Sequence, residues 1–387
     1  MIKSFDEIVL FARTGLNPRT NFKLGNGTNK YITIKNIHNN TILIDENTDT
    51  VDDEAIKLIH KRSQIKKGDI LFCSIGRIGD MYIITDEPNG WDINESVFAF
   101  TLDTDIIRQK YFYYIFKNHN TIEFLSRNSS GSTFKSIKMN QLKRMTFCVP
   151  TLEEQDRIIT VLDSVCETIE LRKQQLTKLD ELVKARFVEM FGDPVKNDMG
   201  WESKSLNEVC DGIGDGLHGT PMYDDDGEYP FINGNNLIDG KIVITPATKM
   251  VSEETYMKHL IDISTNAILI SINGTLGKLA FYNGEKVMLG KSACYCNLKQ
   301  NINKVFVYGV MKSDSFAEFL NNSSTKSTIK NVGLKAMREY KLILPPTELQ
   351  EQFAAFVEQV DKSKIAVQKA LDEAQTLFDS LMQQYFG

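Results

Sequence analysis

Carboxylates and a lysine crowd together in residues 193–204, which read DPVKNDMGWESK. Asp193, Asp198, Glu202 and Lys204 are residue types that metal-dependent nucleases use to hold a cation and activate water. The stretch has no counterpart earlier in the chain, and it falls where one domain is expected to end and another to begin. We therefore favour a connecting segment over a nuclease site.

Other catalytic patterns are incomplete. Residues 212–221, GIGDGLHGTP, lack the Gly-Lys-Ser/Thr ending of a phosphate-binding loop, and DDDG at 224–227 lacks the glutamate that closes a calcium loop. The five histidines form no HExxH motif and no visible triad, and the Asn/Asp-Pro-Pro-Tyr/Phe motif of adenine methyltransferases is absent. Of six cysteines only Cys294 and Cys296 are close, which predicts reduced, mostly buried thiols. The sequence predicts no catalytic residue and no metal site.

The chain repeats itself over about half its length. Residues 132–155, STFKSIKMNQLKRMTFCVPTLEEQ, recur in altered form at 327–352. The segments 69–80 and 31–37 likewise resemble 267–278 and 230–237. Identities 195 positions apart are Ser132/Ser327, Thr133/Thr328, Lys135/Lys330, Pro150/Pro345, Phe191/Phe386 and Gly192/Gly387. A unit this long is a duplicated domain rather than a solenoid repeat.

Length and composition agree with a two-domain globular protein. The chain has 387 residues, more than one hydrophobic core usually serves, with 42% hydrophobic and 25% charged residues. No run of 18 apolar residues is present and acids interrupt the N-terminus, which predicts a cytoplasmic protein without a membrane segment. The net charge of −6 argues mildly against nucleic acid, but residues 1–147 carry 20 basic and 17 acidic side chains. A basic face is therefore still possible.

Two segments have helical periodicity. In each, apolar residues recur every seven positions beside a second, interleaved row, which predicts an antiparallel coiled coil about 55 Å long. The predicted seam consists of Leu162, Val165, Ile169, Leu176, Leu179, Val183 and Met190 in one helix and Val357, Val360, Val367, Leu371, Ala374, Phe378 and Leu381 in the other. Arg172, Arg186 and Lys364 interrupt the seam, so they either extend to solvent or face another protein. An ordinary helical hairpin within one domain is the alternative.

Short apolar runs bounded by turn residues predict strands in the remaining parts, as in YITIKNI, DILFCSI and SVFAFTL, and helical stretches lie at 109–127 and 303–322. The predicted fold class is α+β, with two mixed domains separated by the two long helices and related as a pseudo-twofold internal repeat. The predicted segments are 1–149 for the first mixed domain, 150–192 for the central helix, 193–344 for the second mixed domain and 345–387 for the C-terminal helix.

This pattern resembles the specificity subunit of type I restriction-modification systems. The resemblance rests on two unlike mixed domains, each followed by a proline-to-Glu-Gln segment and a long helix ending in Phe-Gly. Residues 215–242 are similar to the opening of many target-recognition domains of that family, and 200–209 to their entry strand. The first domain departs from this, because it has ARTGLNPRTNFKLGNGTNKYITIKNI at 12–37 instead of the Asp-Gly-x-His-x-Thr-Pro run.

The resemblance implies a non-catalytic subunit that reads a bipartite target in double-stranded DNA, one part with each domain. The helices would hold the two domains apart and so define the gap between the half-targets. Methyltransferase subunits, two of them, would bind the helices and carry S-adenosylmethionine, and a motor-nuclease subunit could join them. No cofactor is expected in this chain.

Candidate DNA-contacting residues occupy loops that recur in both domains. Asparagine can read adenine and arginine can read guanine, whereas lysine more often contacts phosphate. The candidates in these loops are Lys35, Asn36, Arg77, Lys135 and Lys138 in the first domain and Asn233, Asn235, Asn236, Lys278, Lys326 and Lys330 in the second. Thr220 and Tyr223 are further candidates, because they lie in the run at 215–242 that resembles the family. For each, a turn-forming asparagine or a solvated lysine is the alternative. The alternative function is a coiled-coil scaffold whose mixed domains bind protein or glycan ligands.

Overall fold

A computed structural model of the chain describes residues 1–131 and 134–387, so Ser132 and Thr133 of the repeated segment lie outside the described residues. The chain divides into two compact units, one of residues 1–173 and 369–387 and the other of residues 174–368. Each unit contains one mixed domain and one part of each long helix. This division differs from four consecutive segments because the long helices are shared between the units. Across the described residues, every helix is too short or too polar to cross a membrane.

The first mixed domain alternates short strands and helices. Its elements are β1 (Ile2–Ser4), α1 (Phe5–Ile8), β2 (Val9–Thr14), β3 (Asn29–Ile32), β4 (Ile37–His38), β5 (Thr41–Ile42), β6 (Thr50–Val51), α2 (Asp53–Ser63), β7 (Ile70–Cys73), β8 (Met81–Ile83), β9 (Trp91–Ile93), β10 (Val97–Leu102), α3 (Gln109–Ile115), α4 (His119–Asn128), α5 (Met139–Leu142) and β11 (Thr146–Cys148). The long helix α6 (Leu152–Phe191) follows.

The second mixed domain has the same elements in the same order, with one added 3₁₀ turn at Gly234–Asn236. They are β12 (Glu202–Ser205), α7 (Leu206–Val209), β13 (Cys210–Asp215), β14 (Tyr229–Ile232), β15 (Leu237–Ile238), β16 (Lys241–Ile242), β17 (Met250–Val251), α8 (Glu253–Lys258), β18 (Ala267–Ser271), β19 (Leu279–Tyr282), β20 (Met288–Leu289), β21 (Ala293–Leu298), α9 (Lys304–Met311), α10 (Asp314–Ser323), α11 (Leu334–Glu339) and β22 (Lys341–Leu344). The second long helix is α12 (Thr347–Phe386).

The sheets repeat as well. The first domain pairs its strands as β2-β10-β7-β8, β6-β3-β9, β1-β11 and β4-β5, and the second as β13-β21-β18-β19, β17-β14-β20, β12-β22 and β15-β16. In both domains the central four-stranded sheet is antiparallel, whereas β3–β9 and β14–β20 pair in parallel. The predicted α+β duplication is therefore confirmed, because the two domains have the same strand order in every sheet.

A fully buried apolar strand lies at the centre of each domain's core. All four residues of β7 and all five of β18 are buried, so these strands have packed side chains on both faces of the sheet. Helices α3 and α9 cover one face with buried aromatic residues, among them Phe112 and Phe306. Burial of these side chains stabilises the sheets from whose ends the loops extend.

Local capping residues mark the helix starts. Ser4 and Ser205 each donate a backbone N–H to a glutamate three residues later, Glu7 and Glu208, at 2.7 Å. These hydrogen bonds hold the pKa of Glu7 down at about 2. The stretch at 109–127 is two helices rather than one, because the side chain of Asn118 accepts from a backbone N–H and starts α4 anew. Ser313 does the same for α10.

The two long helices each have 40 residues, about 60 Å at 1.5 Å per residue. In the unit 174–368, Phe187 of α6 packs on Phe353 of α12 with ring centroids 5.4 Å apart. The Lys364 ammonium lies 2.6 Å from the Asp180 carboxylate. Residue numbers thus rise along one helix as they fall along the other, which confirms the predicted antiparallel pairing.

Candidate nucleic-acid interface

Three loops of the first domain meet where β7 ends. The Gly76 N–H donates to the Lys135 carbonyl at 3.0 Å, and the Arg77 guanidinium donates to the carbonyls of Ile34 (2.9 Å) and Ile37 (2.8 Å). We call residues 33–38, 74–80 and 134–138 the first loop edge. Hydrogen bonds to main-chain carbonyls therefore hold the three loops together.

The second domain repeats the glycine-to-lysine hydrogen bond where β18 ends, and a different bond joins its remaining loops. Gly274 N–H donates to the Lys330 carbonyl at 2.9 Å, and Gly234 N–H donates to the Ser292 hydroxyl at 2.9 Å. Residues 233–236, 272–278, 290–292 and 324–332 form the second loop edge. Gly76 and Gly274 both have positive φ, 70° and 76°, so a glycine is favoured at this turn in each domain.

Two of the predicted base-reading asparagines are already used inside the fold. The Asn36 side chain accepts from the Thr33 N–H at 2.9 Å and donates to the Leu43 carbonyl at 3.0 Å. Asn236 makes the same pair of bonds, accepting from Asn233 N–H at 2.9 Å and donating to a carbonyl at 3.0 Å. The structure therefore supports the turn-forming alternative for Asn36 and Asn236, because both ends of each amide have partners.

Arg77 also has internal partners. In addition to its two carbonyl acceptors, its Nε lies 3.1 Å from the Asp80 carboxylate. That carboxylate also contacts His38 at 3.0 Å and Lys117 at 3.8 Å. A guanidinium with this many acceptors positions the loops of the first edge, so its predicted contact with guanine would require rearrangement.

Most of the predicted lysines point outward. Lys35, Lys135, Lys138, Lys326 and Lys330 are exposed, and Lys278 is half-buried. The Lys330 ammonium donates to the Asn321 side chain at 3.0 Å, which holds it beside its loop. These lysines bring positive charge to both loop edges.

The remaining candidates of the second domain differ in their surroundings. Asn235 is exposed at the tip of its turn, and Asn233 accepts from the Ser292 hydroxyl at 3.0 Å. Thr220 and Tyr223 are exposed in the loop after β13. The Tyr223 ring packs beside Phe231 at 5.9 Å between centroids, so one side of the ring contacts an apolar residue while the rest is exposed to solvent.

Sequence reasoning missed one polar pair in this region. His218 Nε2 lies 2.8 Å from the carboxylate of Asp215, which is the last residue of β13. The loop is held by Leu217, whose N–H donates to the Leu289 carbonyl at 2.8 Å. The structure agrees with a connecting segment at 193–204, because Lys204 lies 3.3 Å from Glu202 and Asp193 accepts from backbone N–H groups of its own turn. Among the described residues, no three His, Cys, Asp or Glu side chains form a group suited to a metal ion.

The predicted seam residues of the long helices are all buried or half-buried. Of the charged residues that interrupt the seam, Lys364 pairs with Asp180, and the Arg186 guanidinium lies 5.8 Å from the Phe356 ring centroid. Arg172 is half-buried. Lys364 is therefore paired across the two helices, whereas the Arg186 guanidinium pairs with Glu189 of its own helix at 2.8 Å and lies against Phe356 of the other helix.

A buried glutamine joins each long helix to its domain. Gln155 donates to two main-chain carbonyls at 2.9 Å and accepts from the Arg108 N–H at 2.8 Å. Gln350, 195 residues later, donates to the Pro345 carbonyl at 2.8 Å and accepts from the Asn303 N–H at 3.0 Å. The repeated proline-to-Glu-Gln segments are therefore joints, because their glutamines fix the start of each long helix.

Comparison with known proteins agrees with this architecture. A family model described as the type I restriction modification DNA specificity domain matches residues 2–181 and 199–374. The MjaIX specificity subunit of a type I restriction enzyme from Methanocaldococcus jannaschii is 24% identical over 95% of this chain and 88% of its own length. The EcoBI specificity subunit from Escherichia coli is 19% identical over 75% of this chain and 67% of its own.

Solved structures share the fold. The S subunit of a type I restriction-modification system from M. genitalium aligns over 100% of this chain and 96% of its own, with a TM-score of 0.56 and 16% identity. A chain from a study of complex assembly and conformational transition in the type I system aligns with a TM-score of 0.60 and 17% identity, over 100% of this chain and 97% of its own. Because the family model covers both halves, the chain belongs to the type I restriction-modification DNA specificity family, whose members are the sequence-reading and not the catalytic components of their complexes.

Proposed function

We propose that this chain reads a split target in double-stranded DNA, one half with each loop edge, and brings partner adenine-methyltransferase subunits to it. Two such subunits would bind the long helices and carry the S-adenosylmethionine, and a motor-nuclease subunit could join the same assembly. The complex would act in the cytoplasm. This chain itself would hold no cofactor.

The observation that carries the proposal is a shared scaffold with different outward residues. Asn36 and Asn236 occupy equivalent turns and make equivalent hydrogen bonds. The exposed neighbours of these turns differ, because Lys35 in the first edge corresponds to Asn235 in the second. A preserved frame with exchanged outward side chains is what two readers of different sequences require.

Charges also differ between the two domains at other positions of the repeat, most of which are half-buried. Asp80 of the first loop edge corresponds to Lys278 of the second, and Glu95 after β9 corresponds to Lys291 after β20. Exposed lysines lie on both edges, Lys35 and Lys135 on the first and Lys326 and Lys330 on the second, so both edges can contact phosphates despite the net charge of −6. The differences in charge support unequal half-targets.

The test is methylome sequencing of cells with and without this gene. We expect a split adenine-methylated motif that disappears on deletion and returns when the gene is restored. A restored copy with Lys35→Ala and Lys135→Ala should methylate the motif less, whereas Lys57→Ala combined with Lys61→Ala, on α2 and outside the first loop edge, serves as the charge-matched control. An unchanged methylome on deletion would refute the proposal.

A binding measurement separates this function from a scaffold that binds protein or glycan. The chain assembled with its methyltransferase subunits should bind target duplex with an affinity that falls steeply as salt rises, because lysines release counterions from phosphate. The isolated chain should bind DNA weakly. Tight, target-selective binding by the isolated chain at physiological salt would contradict the assigned role of the partners.

A further inference from the structure

Each loop edge displays one large apolar side chain to solvent at the same place in the repeat. Phe134 is 70% exposed and Ile329, 195 residues later, is 64% exposed. Each directly precedes an exposed lysine, Lys135 or Lys330. Two domains that differ at outward positions such as Lys35 and Asn235 therefore keep an apolar side chain, followed by a lysine, at this position.

Hydrogen bonds hold the backbone beside both residues. On the first edge, Ser130 and Ser136 exchange two backbone hydrogen bonds of 2.9 Å, and the Lys135 carbonyl accepts from Gly76. On the second edge, Thr325 N–H donates to the Asn331 carbonyl at 3.0 Å. Phe134 and Ile329 thus lie close to hydrogen-bonded backbone, which lowers the entropy cost of presenting them to a ligand.

An apolar side chain on a DNA-reading surface has two known uses. It can contact the methyl group of thymine in the major groove, or it can enter between base pairs as a wedge and unstack them. A thymine contact would serve one target sequence, whereas a wedge serves any sequence. Because Phe134 and Ile329 recur in domains whose other readers differ, a task common to both half-targets is favoured.

The lysines fit the same task. A wedge opens the stack while adjacent positive charges hold the phosphates on either side. Lys135 follows Phe134 directly, and on the second edge Lys330 follows Ile329 while Lys326 lies three residues before it. Each apolar side chain therefore has at least one cation in its own loop to grip the backbone of the DNA that it enters.

We propose that Phe134 and Ile329 insert into the DNA, one at each half-target, and unstack a base step there. This inference rests on the proposed function, because it requires both loop edges to face DNA. It predicts that the DNA is distorted in both half-targets and that each distortion depends on one of these two residues.

The test uses the chain assembled with its methyltransferase subunits and duplexes that contain 2-aminopurine at successive positions of each half-target, outside the methylated adenine. Unstacking raises the fluorescence of this base. We expect Phe134→Ala to return one half-target to the fluorescence of free duplex and to leave the other unchanged. Ile329→Ala should do the reverse, and Phe134→Leu and Ile329→Leu should keep most of the signal.

Controls separate insertion from loss of charge or fold. Ile122→Ala removes an apolar side chain that is 50% exposed on α4 and should change neither half-target. Lys135→Ala should weaken binding and its salt dependence while the fluorescence at saturation remains. If Phe134→Ala and Ile329→Ala bind DNA and fluoresce as the unmodified complex does, insertion is refuted while the proposed function still stands.

Loss of preference for thymine at one position, with the DNA still stacked, would replace insertion with a methyl contact. Absence of target-selective binding by the unmodified complex would overturn the proposed function together with this inference.

Discussion

Replacing Phe353 with alanine should weaken the packing of the long helices against the second domain. Phe353 is 1% exposed, and its ring lies 5.4 Å from that of Phe187 and 5.5 Å from that of Phe191. Phe306 of α9 completes the cluster, 4.9 Å from Phe191. Because removal of a buried phenylalanine costs about 3 to 5 kcal/mol, the unit 174–368 should lose that much stability.

Phe356 offers a matched control on the same helix. It is half-buried, and its ring contacts the Arg186 guanidinium at 5.8 Å rather than the aromatic cluster. Its replacement with alanine should cost about 1 kcal/mol, from a smaller apolar burial and a weak cation–π contact. The difference between the two variants isolates the contribution of the cluster.

Tryptophan fluorescence can report on this unit alone once Trp91, which lies in the other unit, is replaced. The chain has two tryptophans, and Trp201 lies in the unit 174–368 with its indole N–H donating to the Phe191 carbonyl at 2.9 Å. In a Trp91→Phe background, urea unfolding followed by Trp201 should shift its midpoint by about 1 to 2 M for Phe353→Ala, for a slope of about 3 kcal/mol per M. A shift as small as that of Phe356→Ala would refute the role of the cluster.

Two further predictions concern other parts of the chain. Burial raises the pKa of Cys73 to about 12, so its thiolate stays scarce up to pH 9. Ellman's reagent should therefore modify exposed Cys148 quickly and leave Cys73 unmodified in the native protein. Rapid labelling of Cys73 would contradict the structure. Insertion of one heptad after both Lys173 and Gln368 adds about 10 Å of helix, which should widen the gap of the methylated motif by about three base pairs. An insertion in one helix alone misaligns the seam and should abolish methylation, whereas an unchanged gap after the double insertion would show that the helices do not set it.

The duplication and the seam followed from sequence because they are periodic. Identities 195 residues apart and apolar residues every seven positions are linear patterns, and burial turned them into matching sheets and an antiparallel helix pair. The proline-to-Glu-Gln repeat was also visible, although its purpose was not. Only the packed structure placed Gln155 and Gln350 against main-chain groups of their domains.

The site depended on tertiary structure because residue type does not reveal hydrogen-bond partners. Asn36 and Lys35 are neighbours and equal candidates by sequence, yet the amide of Asn36 is satisfied inside its turn while Lys35 is exposed. Arg77 likewise has the residue type of a guanine reader, but its guanidinium donates hydrogen bonds to carbonyls 40 and 43 residues away. A pattern along the chain determines which elements form and repeat, whereas the availability of a polar group to DNA is decided by contacts that only folding creates.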